Sequence, residues 1–306
     1  MQVQGQLPGH DASLPTELID QIVSSVHGAS LVTCSLISRS WVAPSRRLLF
    51  REFTFKGVGT DSYHQKLCAL YRFLTDTPYV GAFVKTVTLA YGAQDHLIPH
   101  TSPDPIFRVL AKFTYLEALK LRGVCIDFVA ASANLSSLSS TLRDLTLRYV
   151  FGHKEDTEHI STLLRHLPAL DTLRVVGCGN GVREPEELQH SAELERLDLP
   201  PSLALERFEI TDSHIQAFLD GLSRTATAQR LRYLKLNASA IERCAGDMAS
   251  IKRFLHAVGP QLEELVWRYH FSDEEHGQEA AAGRKTSCFP PAPAADILCS
   301  NAWGRS

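Results

Sequence analysis

The 306-residue sequence lacks the features of secreted, membrane-spanning and strongly basic proteins. Its first residues contain neither a basic start nor an apolar run long enough for a secretory signal. The best candidate for a membrane span, residues 125–142, carries Asp127 and several serines and is too polar. The 31 basic and 34 acidic residues nearly cancel, and a net charge of −3 predicts no nucleic-acid or membrane partner.

Paired cysteines are absent as well. The seven cysteines are scattered, odd in number and never spaced as CxxC, so we expect reduced thiols in a protein of the cytoplasm, the nucleus or both. A metal site needs clustered ligands, and we therefore expect no metal and no other cofactor. For His96 and His100, which lie in a proline-rich segment, a solvated loop is favoured and a metal site is the alternative.

Catalytic motifs are also missing. No GxSxG, P-loop or HExxH sequence occurs. The glycine-rich residues 177–181 follow a predicted strand, where a dinucleotide-binding loop would lie, but their spacing favours a turn between repeats. We therefore predict that the protein is not an enzyme.

What the sequence does contain is a repeated pattern, apolar-x-x-apolar-x-apolar, between residues 84 and 267. Alternation over its last four positions predicts a strand with one buried face. Amphipathic helical stretches over 157–167, 213–222 and 248–258 separate some of the copies. The copies are VKTVTL (84–89), LEALKL (116–121), LRDLTL (142–147), LDTLRV (170–175), LERLDL (194–199), LERFEI (205–210), LRYLKL (231–236) and LEELVW (262–267).

The spacing of the copies predicts stacked units of strand, loop and helix. From residue 116 the copies begin 26, 28, 35, 26 and 31 residues apart if LERLDL is omitted. We favour LERFEI as the strand because Pro200 and Pro201 directly follow LERLDL. Such periods predict an α/β solenoid that resembles the leucine-rich repeats, although its units are longer, less regular and mostly without the Asn or Cys after the strand. A globular α/β sandwich is the alternative.

Residues 14–55 follow a different, helical pattern. Pro15 suits a first helical turn, Ser30 is a candidate cap for a second helix, and a third short helix holds Trp41 with Pro44 near its start. About 40 residues cannot bury this much apolar surface internally, so part of it should meet a partner. We expect Leu18, Leu36 and Trp41 in the core, and Leu14, Pro15, Ile22 and Ile37 partly exposed.

LPTEL (14–18) followed by CSLISRSW (34–41) resembles the F-box family, of the fungal type with divergent leucine-rich-like repeats after the F-box. The resemblance implies a non-catalytic subunit of an SCF-type ubiquitin ligase that binds a Skp-type adaptor, and so a cullin, while the repeats bind a protein substrate of unknown identity. An interaction scaffold outside ubiquitination is the alternative. The implied adaptor-binding residues are Leu14, Pro15, Glu17, Leu18, Ile22, Leu31, Cys34, Leu36, Ile37 and Trp41.

The expected fold class is α/β: a small three-helix F-box and then an irregular leucine-rich-repeat-like solenoid, incomplete at its C-terminus. The expected divisions are a disordered start (1–11), the F-box (12–55), a linker helix (56–82), the repeat domain (83–270) and a disordered tail (271–306). The last strand would then have an uncovered edge that favours self-association. The alternative is that the tail folds back over this edge.

Outward-pointing strand positions would line the concave face of such a solenoid. Seven of them are basic and three are acidic, which predicts a site for an acidic or phosphorylated peptide. The alternative is that exposed strand positions are simply charged. The candidate substrate-binding residues are Lys120, Arg122, Arg148, Arg174, Arg207, Tyr233, Lys235 and Arg268.

Overall fold

The protein is a mixed α/β chain that divides into two compact units, Met1–Glu52 and Phe53–Ser306, here called the helical unit and the sheet unit. The computed structural model describes residues 14–57, 60–91, 104–124, 140–150, 157–177, 197–211, 215–238, 244–269 and 297–299. Within these residues, no helix combines the length and the apolar character needed to cross a membrane.

The helical unit contains the three predicted short helices, α1 (Thr16–Ser24), α2 (Gly28–Cys34) and α3 (Arg39–Leu49). The predicted cap at Ser30 is wrong, because α2 already begins at Gly28 after the extended residue His27. Pro44 lies in the middle of α3 rather than near its start. The buried core consists of Ile19, Val23 and Leu31, and the side chains packed against it are Val26, Trp41, Leu48 and Leu49.

The sheet unit is built on one sheet whose strands lie in chain order. From β2 to β8, each strand pairs in parallel with the next. LERFEI supplies a strand and LERLDL does not, as predicted. The strands are β1 (Glu52–Gly57), β2 (Thr86–Tyr91), β3 (Ala118–Arg122), β4 (Asp144–Arg148), β5 (Thr172–Val176), β6 (Arg207–Thr211), β7 (Tyr233–Ala238), β8 (Glu264–Tyr269) and β9 (Ile297–Cys299).

Helices connect several of the successive strands, and the three predicted amphipathic helices over 157–167, 213–222 and 248–258 are confirmed with slightly different ends. The region expected to be one linker helix instead holds two helices, preceded by β1, which the sequence pattern did not predict. Phe53 of β1 packs near Phe113, with ring centroids 6.2 Å apart. The helices are α4 (Thr60–Asp76), α5 (Pro78–Phe83), α6 (Asp104–Leu110), α7 (Thr157–Arg165), α8 (Ile215–Leu222), α9 (Thr227–Arg230) and α10 (Cys244–Val258), followed by a 3-10 turn over Gly259–Gln261.

A backbone ladder runs along the amino-terminal edge of the sheet, at the second position of each repeat motif. The carbonyl of Lys85 accepts the N–H groups of both Glu117 and Ala118, and the same pattern returns at every following strand up to β8. Some side chains at this position also form ion pairs, as Lys85 does with Glu117 at 2.7 Å and Arg232 does with Glu263 at 3.1 Å. This edge is therefore held by both backbone and charge.

The edge of the last repeat strand is covered over three residues. β9 pairs antiparallel with β8 and sets Leu265, Val266 and Trp267 opposite residues 299, 298 and 297. The expectation of an uncovered edge is therefore wrong at these positions, because a later segment supplies a strand. The rest of the predicted tail, and the predicted disordered start, lie outside the described residues.

The 35-residue period between the motifs of β5 and β6 contains a buried irregular segment before β6. Leu197, Leu199, Leu203 and Leu205 are all at most 5% exposed, although the backbone here is not part of the sheet. The Thr227 hydroxyl satisfies this backbone: it donates to the Leu203 carbonyl at 3.0 Å and accepts the Leu205 N–H at 3.1 Å. A buried donor therefore depends on one side chain for its hydrogen bond.

We expect Thr227→Val to lower the free energy of unfolding by about 1–3 kcal/mol, because the Leu205 N–H would stay buried without a partner. Thr227→Ser is the matched control: it keeps the hydroxyl and loses one methyl group, worth about 1 kcal/mol. Urea unfolding of the three proteins tests this. Equal stability of Thr227→Val and the wild type would contradict it.

Candidate protein-interaction surfaces

Helix α1 is apolar on two faces. Ile19 and Val23 face the core of the helical unit and are at most 1% exposed. Leu18 and Ile22, also four residues apart, share another face and are 45% and 41% exposed. Leu14, just before the helix, is similarly exposed. Helix α1 therefore buries one apolar stripe in the core and exposes a second apolar stripe to solvent.

The end of α2 adds a second group of exposed apolar side chains, Val32, Leu36 and Ile37. Leu36 and Ile37 lie in a turn fixed by backbone hydrogen bonds to the carbonyls of Thr33 and Cys34. The side chains are therefore presented by an ordered backbone. Six of the ten exposed large apolar side chains in the described part of the chain fall between residues 14 and 37, which indicates a surface for a partner.

The predicted adaptor-binding residues separate into an exposed and an inner group. Leu14, Pro15, Glu17, Leu18, Ile22, Leu36 and Ile37 are exposed.

Leu31 and Cys34 are buried, and Trp41 is half-buried against the core. The expectation of Leu18 and Leu36 in the core is wrong, because three short helices share only one small core. Val32 was missed, although it lies four residues before Leu36.

The solvent side of the sheet carries three rows of side chains aligned by the strand register. The amino-terminal row is Thr86, Ala118, Asp144, Thr172, Arg207, Tyr233 and Glu264; the middle row is Thr88, Lys120, Thr146, Arg174, Glu209, Lys235 and Val266; the carboxyl-terminal row is Ala90, Arg122, Arg148, Val176, Thr211, Asn237 and Arg268. All eight candidate substrate-binding residues therefore lie on one face.

Arg174 is the centre of a charge network on this face. Its Nη1 lies 2.7 Å from Asp144 Oδ2, and its Nε lies 3.0 Å from Glu209 Oε1. Burial alone would lower the pKa of Arg174, but hydrogen bonds and charge from Asp144 and then Glu209 outweigh it and raise that pKa. Lys235 Nζ shares Glu209 at 3.4 Å. Two of the predicted substrate cations are thus balanced within the protein.

Arg207 and Tyr233 form a second contact on the same face, with the guanidinium 4.5 Å from the ring centroid. Burial, and then the charges of Glu209 and Glu264, raise the pKa of Tyr233, although Arg207 and Arg174 act against this. The phenol therefore stays protonated at neutral pH.

The other four predicted substrate-binding residues are exposed, and the strand register places two of them, Arg122 and Arg148, side by side. These four residues are Lys120, Arg122, Arg148 and Arg268.

The residues that the structure describes contain no group of three or more His, Cys, Asp or Glu side chains suited to a metal ion. His96, His100 and residues 178–181 lie outside the described residues. Gly177, the first residue of the glycine-rich segment, adopts a positive φ of 56° directly after β5, as a turn requires.

The helical unit thus has the character of a protein-binding module, with a small core and a large exposed apolar surface. A comparison with protein-family models matches the F-box domain to residues 12–42. The chain therefore carries an F-box domain, and the six exposed apolar side chains all lie within the matched residues. F-box domains bind Skp-type adaptors in SCF complexes. A search of curated proteins found no match to this chain.

We expect Arg174→Met to lower the free energy of unfolding by about 1–3 kcal/mol, because Asp144 and Glu209 would lose their charge-assisted hydrogen bonds. Arg165→Met is the matched control: Arg165 pairs at 2.9 Å with Asp198, whose side chain is 84% exposed, and such pairs contribute about 0–1 kcal/mol. Denaturant unfolding compares the two variants. A cost for Arg174→Met no larger than that of the control would contradict the central role of Arg174.

Proposed function

We propose that this protein is a substrate-receptor subunit of an SCF-type ubiquitin ligase and has no catalytic activity of its own. The F-box binds a Skp-type adaptor, which links the protein to a cullin, and the sheet unit binds a protein substrate. The match of residues 12–42 to the F-box domain, together with the exposed apolar side chains inside it, is the observation that carries this proposal.

The adaptor surface consists of the stripe on α1 and the turn after α2: Leu14, Leu18, Ile22, Val32, Leu36 and Ile37. Complete burial of a Leu or Ile side chain contributes about 1.5–3 kcal/mol, and all of these side chains except Leu36 are already about half covered in the free chain. Several of them together would sustain a stable complex even after the cost of association. Leu31, Cys34 and Trp41 act indirectly, by supporting the helices that present this surface.

The sheet unit is proposed to be an irregular leucine-rich-repeat-like solenoid over residues 83–270. Parallel strands in chain order, helices between several of them and a repeated buried row support this assignment. Each such unit has an apolar face that it cannot bury alone, so neighbouring units must stack. The solvent face of the strands is then the surface for a substrate.

A non-catalytic interaction scaffold outside ubiquitination is the second candidate function. The F-box and the solvent face of the sheet suit both candidates, since both functions need them. A cullin in the complex separates them. Tagged full-length protein should co-purify a Skp-type adaptor and a cullin from cells if it is a ligase subunit. The adaptor without cullin would support the scaffold, and the absence of both would overturn the adaptor-binding proposal.

Two isoleucines of α1 give a matched test of the adaptor surface. We expect Ile22→Ala to weaken adaptor binding by about tenfold, because about 1–2 kcal/mol of apolar burial is lost at the interface, while the melting temperature stays unchanged. Ile19→Ala should instead lower the free energy of unfolding of the helical unit by about 2–5 kcal/mol, because it opens a cavity in the core.

Isothermal titration with purified adaptor and thermal unfolding of each variant provide the two measurements. Wild-type affinity in Ile22→Ala, and in the double variant with Ile37→Ala, would rule out this surface as the adaptor contact.

A further inference from the structure

Positive charge on the solvent face of the sheet is concentrated at one end. Among the described strand positions, the amino-terminal and middle rows mix cations with Asp144, Glu209 and Glu264, whereas the carboxyl-terminal row holds three arginines and no acidic residue. Arg122 and Arg148 occupy paired positions on adjacent strands, which lie about 4.8 Å apart. Both side chains are exposed. Two like charges held side by side gain stability from an anion between them.

Tyr149 follows Arg148 with a backbone conformation that is unfavourable for an aromatic residue. Its φ is +51°, and it is the one non-glycine residue with positive φ in the part of the chain that the structure describes. Gly123 and Gly177, which follow the neighbouring strands β3 and β5, adopt the same conformation without this cost. Strain of this kind at a bulky residue indicates a role for its side chain.

The backbone at these three positions is fixed by a common set of hydrogen bonds. The N–H groups of Gly123, Tyr149 and Gly177 donate to the carbonyls of Arg148, Val176 and Thr211 at 2.8–2.9 Å.

The positive φ at these positions is therefore imposed by the fold, and glycine would adopt it at Tyr149 without strain. A Cβ atom on Gly177 would lie 2.5 Å from the Tyr149 ring, so that ring rests against the glycine backbone. The Arg148 guanidinium lies 5.3 Å from the ring centroid.

We propose that Arg122, Arg148 and Tyr149 form a recognition site for an acidic peptide segment of the substrate. The inference rests on the proposed function, in which the sheet face receives a protein. The two guanidinium groups offer parallel N–H donors that match a carboxylate or a phosphate group. The aromatic ring orients Arg148 and supplies an exposed flat surface for the rest of the peptide.

The internal ion pairs explain why this end of the sheet, and not the middle row, provides the site. Arg174 and Lys235 share the carboxylates of Asp144 and Glu209, so a ligand anion would compete with groups already in place. Among the described residues no carboxylate pairs with Arg122 or Arg148, so that a ligand there supplies the compensating charge. The eight residues predicted from the sequence thus reduce to a smaller site extended by Tyr149.

The test uses the full chain and three fluorescein-labelled probes of equal length: hexaglutamate, a Gly-Ser peptide with two phosphoserines, and a uridine hexanucleotide. We expect the wild type to bind at least one of the two acidic peptides in fluorescence anisotropy. The double variant Arg122→Gln with Arg148→Gln should bind at least tenfold more weakly. Whichever peptide binds more tightly identifies carboxylate or phosphate as the preferred anion.

The matched control is Arg143→Gln with Arg232→Gln, which removes the same charge from the amino-terminal edge, where Arg232 pairs with Glu263. Its peptide affinity should stay within twofold of wild type. Equal loss in both double variants, no binding of either peptide by the wild type, or tighter binding of the uridine probe would each overturn the inference. Adaptor binding is measured in parallel, so that failure of the peptide site is distinguished from failure of the proposed function.

A second variant tests whether Tyr149 acts on the ligand or only on the fold. Asparagine tolerates a positive φ, so Tyr149→Asn should leave the melting temperature unchanged or raise it. Peptide affinity should nevertheless fall by threefold or more because the ring is lost. A lower melting temperature with unchanged affinity would show that Tyr149 is only structural and would remove it from the site.

Discussion

The sheet unit depends on one constraint: parallel strands pair in register so that the two apolar motif residues within each strand fall into continuous buried rows. Leu119, Leu145 and Leu173 lie in one such row, and each is at most 1% exposed. A shift of one residue would move an entire strand's apolar side chains to solvent. Backbone hydrogen bonds at the amino-terminal ends of the strands, and at the carboxyl-terminal ends of β3, β4 and β5, also favour this register because they fix these ends to the neighbouring strand.

The same register decides the chemistry of the opposite face. Because every second residue must be buried, the residues between them are forced into rows on the solvent side, where cations and anions from distant repeats become neighbours. Arg174 meets Asp144 and Glu209 only because β5 lies between β4 and β6. The charged residues of the repeats are thereby divided into two groups on the solvent face. Arg174 and Lys235 form ion pairs in the middle of the face, and the carboxyl-terminal row is basic.

The helical unit, unlike the strands of the sheet unit, leaves many of its apolar side chains exposed. Its three helices are too short to enclose all their apolar residues, and α1 shows the result most clearly: Ile19 and Ile22, three positions apart, differ in exposure by 40 percentage points. Burial on one face gives the unit its stability. Exposure on the other gives it a surface that gains free energy from a partner. An F-box is consistent with this division of one small module between folding and binding.

Local patterns along the chain were enough to predict the motif strands, the amphipathic helices, the choice of LERFEI over LERLDL, and the F-box. Alternation and helical spacing are properties of neighbouring residues, so they can be read without a structure.

The three-dimensional structure was needed to show that β1 joins the sheet and that β9 covers three residues of β8. It also decided that Leu31 and Cys34 are buried, that Arg174 is already paired, and that Tyr149 occupies a position where glycine would fit. The burial of Leu31 and Cys34 depends on how the three short helices pack, and the other features depend on strand register between segments far apart in the chain.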